Sequence, residues 1–190
     1  MTGKRLLLVA HAPSPNLQRL RDAVLDGARS PEIEGVETLC KPPLEAGPDD
    51  VLAADGLLLG TPENLGYMAG ALKDFFDRTY YAVIEDKQGL PYAAYIRAGR
   101  DGTGTQRAIE SIATGLSWRP VQEPLICQGT FQEGFVEQCR ELLAGRLARP
   151  LEVAGVHRQF QRRPLAVGER LPERREDVAV GRVGDVPVVL

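Results

Sequence analysis

The sequence predicts an α/β protein: a doubly wound, five-stranded parallel sheet with strand order 2-1-3-4-5. Two observations carry this. Short apolar runs alternate with amphipathic segments from the first residues onward, and the strand–helix pair recurs five times within about 145 residues. The strongest runs, Arg5 to Ala10 and Asp55 to Gly60, are apolar at consecutive rather than alternate positions. Strands covered by helices on both faces need that pattern. Right-handed crossovers then leave few topologies for five strands.

The first strand is Arg5 to Ala10. Leu17, Leu20, Ala23, Val24 and Ala28 follow at helical spacing. Val36 to Cys40 is a weaker strand, Asp49 to Ala54 a short helix, and Asp55 to Gly60 the third strand. Met68, Leu72, Phe75, Phe76 and Thr79 share one face of a helix. Tyr92 to Arg97 is the fourth strand, and Ile109, Ile112, Ala113 and Leu116 mark the helix after it. Val121 to Cys127 is the last strand. Pro120 and Pro124 remove ladder donors, which places it at a sheet edge. Thr130-x-x-Glu133 reads as a capping box ahead of Phe135, Val136, Cys139, Leu142 and Leu143.

The chain changes character near residue 146. From there to Leu190 it carries nine Arg, no Lys and six acidic residues, a charge of +3 against −6 for residues 1–145. Residues 1–146 are therefore expected to form the functional domain. Residues 147–190 form an Arg/Pro/Val-rich extension, a polar tail rather than a second domain, with a small hairpin at Gly181 to Asp185.

Composition narrows the function. With 190 residues, 43% hydrophobic and 26% charged, the chain can bury one sizeable core. A net charge of −3 excludes the strongly basic surface of a non-specific nucleic-acid binder. Cys40, Cys127 and Cys139 contain no C-x-x-C, so they give neither a disulfide framework nor a zinc spacing. The opening apolar run is too short for a secretory signal, and no run reaches membrane-spanning length. These features point to a soluble cytoplasmic protein with no metal and no membrane partner.

In an open parallel sheet, ligands bind beyond the carboxyl ends of the strands where the strand order reverses. Three segments meet there: Ala10 to Leu17, Thr61 to Met68 and Ala98 to Thr105. All are rich in turn formers and small polar groups. In the first, His11-Ala12-Pro13-Ser14-Pro15-Asn16-Leu17 runs straight from strand to helix. Free N–H groups and the positive end of the helix dipole suit a phosphate there. Ser14 and Asn16 add side-chain donors. The alternative is that Ser14 only caps the helix. His11 has no triad partner nearby and reads as a polar residue of the loop.

The second segment, with Pro62, Glu63, Asn64, Leu65 and Gly66, can lay its backbone along a flat ring, Gly66 permitting close approach. Tyr67 either stacks on that ring or packs at a helix start. The third, Ala98-Gly99-Arg100-Asp101-Gly102-Thr103-Gly104, is glycine-dense. It lacks the third glycine of a dinucleotide fingerprint, since position 107 is Arg, and the chain has no Walker A sequence. Kinase and nucleotide-hydrolase chemistry is excluded on that basis. No catalytic side-chain constellation appears.

The run Thr61-Pro62-Glu63-Asn64-Leu65-Gly66-Tyr67-Met68-Ala69-Gly70-Ala71-Leu72-Lys73-Asp74-Phe75-Phe76-Asp77 resembles the flavin-ring loop of flavodoxin-like FMN proteins. Within that fold family it is similar to NAD(P)H-dependent FMN reductases and to quinone reductases of the tryptophan-repressor-binding-protein type. The resemblance spans roughly residues 4–145. It implies FMN as cofactor and NADH or NADPH as co-substrate. It places the phosphate on the first loop, at His11, Ser14, Asn16 and Leu17. The ring would lie between the segment Pro62, Glu63, Asn64, Leu65, Gly66 and Tyr67 and the segment Ala98, Gly99, Arg100 and Gly102. Ala12 and Leu17 stand where flavodoxins carry further threonines, and Pro15 stands where glycine is usual. Pro13 and Pro15 also lack N–H groups. The phosphate is thus held by fewer hydrogen bonds, each worth on the order of 1 kcal/mol, and the flavin is expected to be released easily.

The expected function is reduction of a quinone or other small acceptor by NAD(P)H through bound FMN, in a homo-oligomer. The chemistry would belong to the cofactor, so no side-chain acid or base is needed. The alternatives are a flavodoxin-type electron carrier and a flavodoxin-like domain that has lost its flavin. A carrier docking basic partners is usually strongly acidic, and −6 on the core is mild for that role.

Overall fold

In the computed structural model, residues 3–31, 33 and 35–143 are described, together with the backbone of 182–183 and 186–187. Contacts divide the chain into Met1–Glu152 and Val153–Leu190.

In the first unit, β1 (Lys4–Ala10) is followed by α1 (Pro15–Ala28), β2 (Val36–Lys41), α2 (Pro48–Ala53) and β3 (Gly56–Asn64). Next come β4 (Tyr67–Met68), α3 (Gly70–Val83), β5 (Pro91–Ala98) and α4 (Thr103–Gly115). The unit closes with β6 (Arg119–Pro120), β7 (Leu125–Gln128) and α5 (Glu133–Arg140). The sheet runs β2-β1-β3-β5, with β6 and then β7 pairing β5 in parallel at the far edge. This is the expected flavodoxin-like order, with the fifth strand divided in two. Pro120 and Pro124 flank the break, where neither can donate to the ladder.

Because β1, β3 and β5 are covered on both faces, alternate residues feed two cores. Leu7, Val9, Leu57, Leu59, Tyr92 and Ile96 pack with Val51, Leu72, Phe75, Phe76, Ile109 and Trp118 from the helical side of α2, α3 and α4. Leu6, Leu8, Leu58, Ala93, Tyr95 and Cys127 pack with Leu20, Val24, Phe135 and Cys139 from α1 and α5. Burying each large apolar side chain contributes about 1.5–3 kcal/mol.

Three expectations need correction. Met68 is not on the helical face with Leu72; it lies on β4, because the chain turns back on itself before α3 begins at Gly70. The segment from Thr61 to Met68 is not a loop, since β3 continues to Asn64 and pairs antiparallel with β4. Thr130 and Glu133 form no capping box: the residue capping α5 is Gln132, without a side-chain hydrogen bond, and the Glu133 carboxylate pairs with Arg19 instead.

The α1–α5 contact is close at one point. A Cβ on Gly27 would lie 1.9 Å from the Arg140 carbonyl oxygen, a backbone atom that can yield only by separating the helices. Gly27→Ala is therefore expected to destabilise by about 1–2 kcal/mol, overpacking outweighing the gain in helix propensity. Gly134→Ala, with nothing within 4 Å of the new Cβ, leaves the melting temperature equal or higher. Thermal unfolding of both variants checks this.

In the second unit, β8 (Arg182–Val183) pairs antiparallel with β9 (Val186–Pro187). The remainder of the expected extension, residues 147–190, lies outside the described residues. Among the described residues no helix is long and apolar enough to cross a membrane, and no cluster of His, Cys, Asp or Glu is arranged to hold a metal.

Candidate flavin site at the carboxyl edge of the sheet

Strand β1 leads to α1 on one face while β3 leads, through its hairpin, to α3 on the other. The strand order thus reverses between β1 and β3, and open α/β sheets bind their ligands above the carboxyl ends of the strands at such a point. The three predicted segments all converge on this edge.

The first segment continues the ladder for one residue, the His11 N–H donating to the Gly60 carbonyl at 2.9 Å. Ser14 then adopts an extended conformation and caps α1, its Oγ accepting the Leu17 N–H at 3.4 Å. The capping reading therefore holds, and it leaves the Ser14 O–H proton able to donate outward. Among the described residues none accepts from the N–H groups of Ala12, Ser14 or Asn16. Asn16 is exposed and Leu17 is buried under the helix. These donors at the positive end of a 14-residue helix suit a phosphate dianion, with fewer contacts than a proline-free loop would give.

The second segment is a β-hairpin. Asn64 and Tyr67 pair across a two-residue turn in which Leu65 has φ 55° and Gly66 φ 77°, as a type I′ turn requires. Leu65 is fully exposed at the tip, and Tyr67 is 41% exposed. Tyr67 therefore does not pack at a helix start; its ring is available on the surface of β4. Pro62 is buried. Thr61 anchors the base, accepting the Ala69 N–H at 3.0 Å and donating to the Pro62 carbonyl at 2.9 Å. The Glu63 carboxylate reaches the third segment and accepts the Arg100 N–H at 2.9 Å.

In the third segment Ala98 is buried while Gly99, Arg100 and Asp101 are exposed. Asp101 accepts the Thr103 N–H at 3.0 Å, and this backbone bond holds its carboxyl below the usual range. Gly102, at φ 73°, caps α4. Two residues on, a Cβ at Gly104 would fall 2.1 Å from the Gly66 carbonyl oxygen. The hairpin tip rests on the first turn of α4 only because residue 104 has no side chain.

Two structural residues carry no local signal in the sequence. The contact of Gly104 with Gly66 joins residues far apart in the chain. The Arg97 guanidinium donates to the carbonyls of Ala98, Cys127 and Gly129, fastening the end of β5 to the loop after β7. Two hollows of the first unit lie away from this edge. One, of about 40 Å³, is lined by Lys4, Leu6, Gly56 and Tyr92 at the amino ends of the strands. Another, of about 300 Å³, lies beside α2 and is lined by Leu7, Leu39, Asp50 and Ala53. Topology and donor chemistry, rather than enclosure, single out the carboxyl edge.

Residues 19–130 match the family described as NADPH-dependent FMN reductase. The chain belongs to that family. The matched residues include the hairpin and the α4 junction and begin just after the first loop. Among curated proteins, this FMN reductase family member is 32% identical over 158 residues to an NAD(P)H dehydrogenase (quinone) of Acidithiobacillus ferrooxidans, covering 73% of this chain and 74% of that one. It is 34% identical over 112 residues to a flavodoxin of Aquifex aeolicus, spanning 59% of this chain and only 60% of that relative's length. An archaeal flavodoxin structure superposes with a TM-score of 0.60 at 19% identity, over 73% of this chain and 92% of that one. A flavodoxin, WrbA-like protein from Agrobacterium tumefaciens gives 0.58 at 17%, over 77% and 95%. These structures show the fold: it is flavodoxin-like.

Proposed function

We propose that the protein is an FMN-dependent oxidoreductase in which NADH or NADPH supplies electrons and a quinone or other small acceptor takes them. The observation carrying this reading is the carboxyl edge: N–H donors at the start of α1 that no described residue accepts from, and a hairpin tied to both the third loop and α4 at the same edge of the sheet. A ring-shaped ligand with a phosphate tail matches that chemistry. The similarity to an NAD(P)H dehydrogenase (quinone) over about three-quarters of each chain supports the reductase over a carrier. The similarity to a flavodoxin of Aquifex aeolicus keeps the electron-carrier reading as the second.

When bound, FMN supplies the exchange of two electrons between a nicotinamide and an acceptor. This chain's own residues bind and position. The N–H groups of Ala12, Ser14 and Asn16, the Ser14 hydroxyl and the α1 dipole hold the phosphate, with His11 and Leu17 fixing the loop ends. Asn64, Leu65 and Gly66 present backbone to one edge of the ring, and the exposed Tyr67 offers an aromatic face. Ala98, Gly99, Arg100 and Gly102 line the other side. Glu63 ties the two walls together through the Arg100 N–H, and the buried Pro62 sits at the base of the hairpin. No side chain is assigned a proton-transfer role.

We place the working protein in the cytoplasm, where NADH and NADPH are available, as a homo-oligomer, with residues 1–146 as the flavin domain and 147–190 as its extension. The test is steady-state oxidation of NADH and NADPH by FMN-loaded protein with a water-soluble quinone, on the full chain and on a chain ending after residue 146. Acceptor-dependent turnover in both is expected. Flavin binding without turnover in the full chain contradicts the reductase and favours the carrier. Loss of cooperative unfolding in the shorter chain contradicts the domain boundary.

A further inference from the structure

Strand β2 is the free edge of the sheet opposite β7. It pairs with β1 alone, and no proline or glycine interrupts it between Val36 and Lys41. The Lys4 N–H donates to the Gly35 carbonyl at 2.8 Å, while Lys4 stands opposite Val36. In a parallel ladder that phase turns the backbone groups of Glu37, Leu39 and Lys41 toward β1 and those of Val36, Thr38 and Cys40 outward. Among the described residues no hydrogen bond reaches these outward groups. An edge left open in this way is a template for another strand.

The side chains of the strand divide between two faces. Val36 and Cys40 pack against the core shared with α1 and α5. Glu37 and Leu39 point the other way and line the hollow beside α2 with Asp50 and Ala53. Leu39 is 46% exposed, and Leu44, in the turn after β2, and Leu52, on α2, are exposed as well. Single exposed leucines are ordinary; three on the elements bordering one unpaired strand mark a contact surface. Opposite charges flank the central leucine, Glu37 on one side and Lys41 on the other. The Lys41 ammonium holds Asp50 at 2.6 Å and Arg5 approaches Glu37 at 3.4 Å, yet each charged group keeps further hydrogen-bonding capacity.

We propose that β2 pairs antiparallel with β2 of a second copy about a two-fold axis at Leu39, so that one sheet runs through a dimer. The phase of the ladder restricts the register, because the outward residues must meet outward residues of the other copy. An axis at Thr38 sets Glu37 against Leu39, and an axis at Cys40 sets Leu39 against Lys41. The axis at Leu39 instead pairs unlike charges, Glu37 of each copy facing Lys41 of the other, with leucine on leucine between them. Thr38 then exchanges both backbone hydrogen bonds with Cys40 of the other copy, and symmetry repeats the pair. The axis stands perpendicular to the sheet, which keeps the α2 helices of both copies on the same side. Being isologous, the contact closes at two copies. The proposal rests on the homo-oligomeric state proposed above and is independent of the flavin chemistry.

Size-exclusion chromatography with light scattering, run on the full-length protein over a dilution series, is expected to give the mass of a dimer. Glu37→Lys and Lys41→Glu each set like charges opposite one another across the axis. Each is expected to raise the dimer dissociation constant at least about tenfold. An equimolar mixture of the two variants restores unlike charges at every facing position and is expected to form a mixed dimer as tight as wild type. A variant that is merely unstable is not rescued in this way, and circular dichroism confirms that both fold. In a Cys40→Ser background, Leu39→Cys is expected to give a covalent dimer on mild oxidation, since Cα atoms of such a facing pair lie about 4.5 Å apart. Tyr81→Cys in the same background, exposed on α3, stays uncrosslinked. The cross-link decides alone where the charge variants do not fold. A protein that is monomeric throughout overturns the proposal and the homo-oligomer together and leaves the flavin reading standing. A dimer that neither charge reversal weakens and that does not cross-link through residue 39 overturns this interface alone.

Discussion

Gly104→Ala is expected to weaken FMN binding roughly ten- to a hundredfold while the protein stays folded. The new Cβ would sit 2.1 Å from the Gly66 carbonyl oxygen, closer than any real Cβ contact. Because the obstacle is backbone, a rotamer change cannot relieve it; the hairpin must swing away from α4 or the first turn of α4 must unwind. Leu65 at the tip is fully exposed, so the hairpin gives way at a stability cost of about 1–2 kcal/mol. Displacement by an ångström or so moves the backbone of Asn64 to Gly66 off the ring. Gly70→Ala, with nothing within 4 Å of its Cβ and lying at the start of α3, serves as control and binds as the wild type does. Flavin fluorescence titration gives the three affinities, and equal values for Gly104→Ala and wild type remove the hairpin from the site.

Gly66→Val is expected to abolish FMN binding through the backbone instead. A Cβ at residue 66 meets nothing within 4 Å of protein, so protein crowding is not the cause. The turn needs φ 77° there, immediately after φ 55° at Leu65. A β-branched residue in that region costs about 1–2 kcal/mol or more, and the two-residue hairpin has few bonds with which to resist. Gly66→Asn tolerates the left-handed region and is expected to keep most of the affinity. Loss in Val with retention in Asn assigns the effect to turn geometry; equal affinity in all three places the ring elsewhere. Gly66 has no part in entry to the third helix, since α3 begins at Gly70 with Ala69 as its cap.

Legibility in the sequence followed the range of the forces involved. Strands β1, β3 and β5 are plain because burial on both faces leaves an uninterrupted apolar run. The edge position of the last strand is readable from Pro120 and Pro124, whose missing donors act locally. The hairpin is not readable: Leu65 occupies a left-handed position that Asn or Gly usually fills, so the turn carries no local signature. The cap of α5 misleads for the opposite reason. Its local pattern is present, yet Arg19 from another helix takes the Glu133 carboxylate. Within the site, the loops themselves are visible as turn-rich segments after apolar runs. The ties between them, Glu63 to Arg100 and Gly66 to Gly104, depend on which strands become neighbours.

In the proposed function, FMN binds across the carboxyl edge of the sheet, phosphate at the start of α1 and ring between the hairpin and the third loop. Amide chemical-shift mapping of 15N-labelled protein titrated with FMN tests it most directly. Saturable shifts are predicted at Ala12, Ser14 and Asn16, at Asn64 to Tyr67, and at Gly99 to Gly102. Shifts confined to Lys4, Arg5, Gly56 and Ala93 at the opposite edge, or no saturable binding at all, would contradict it.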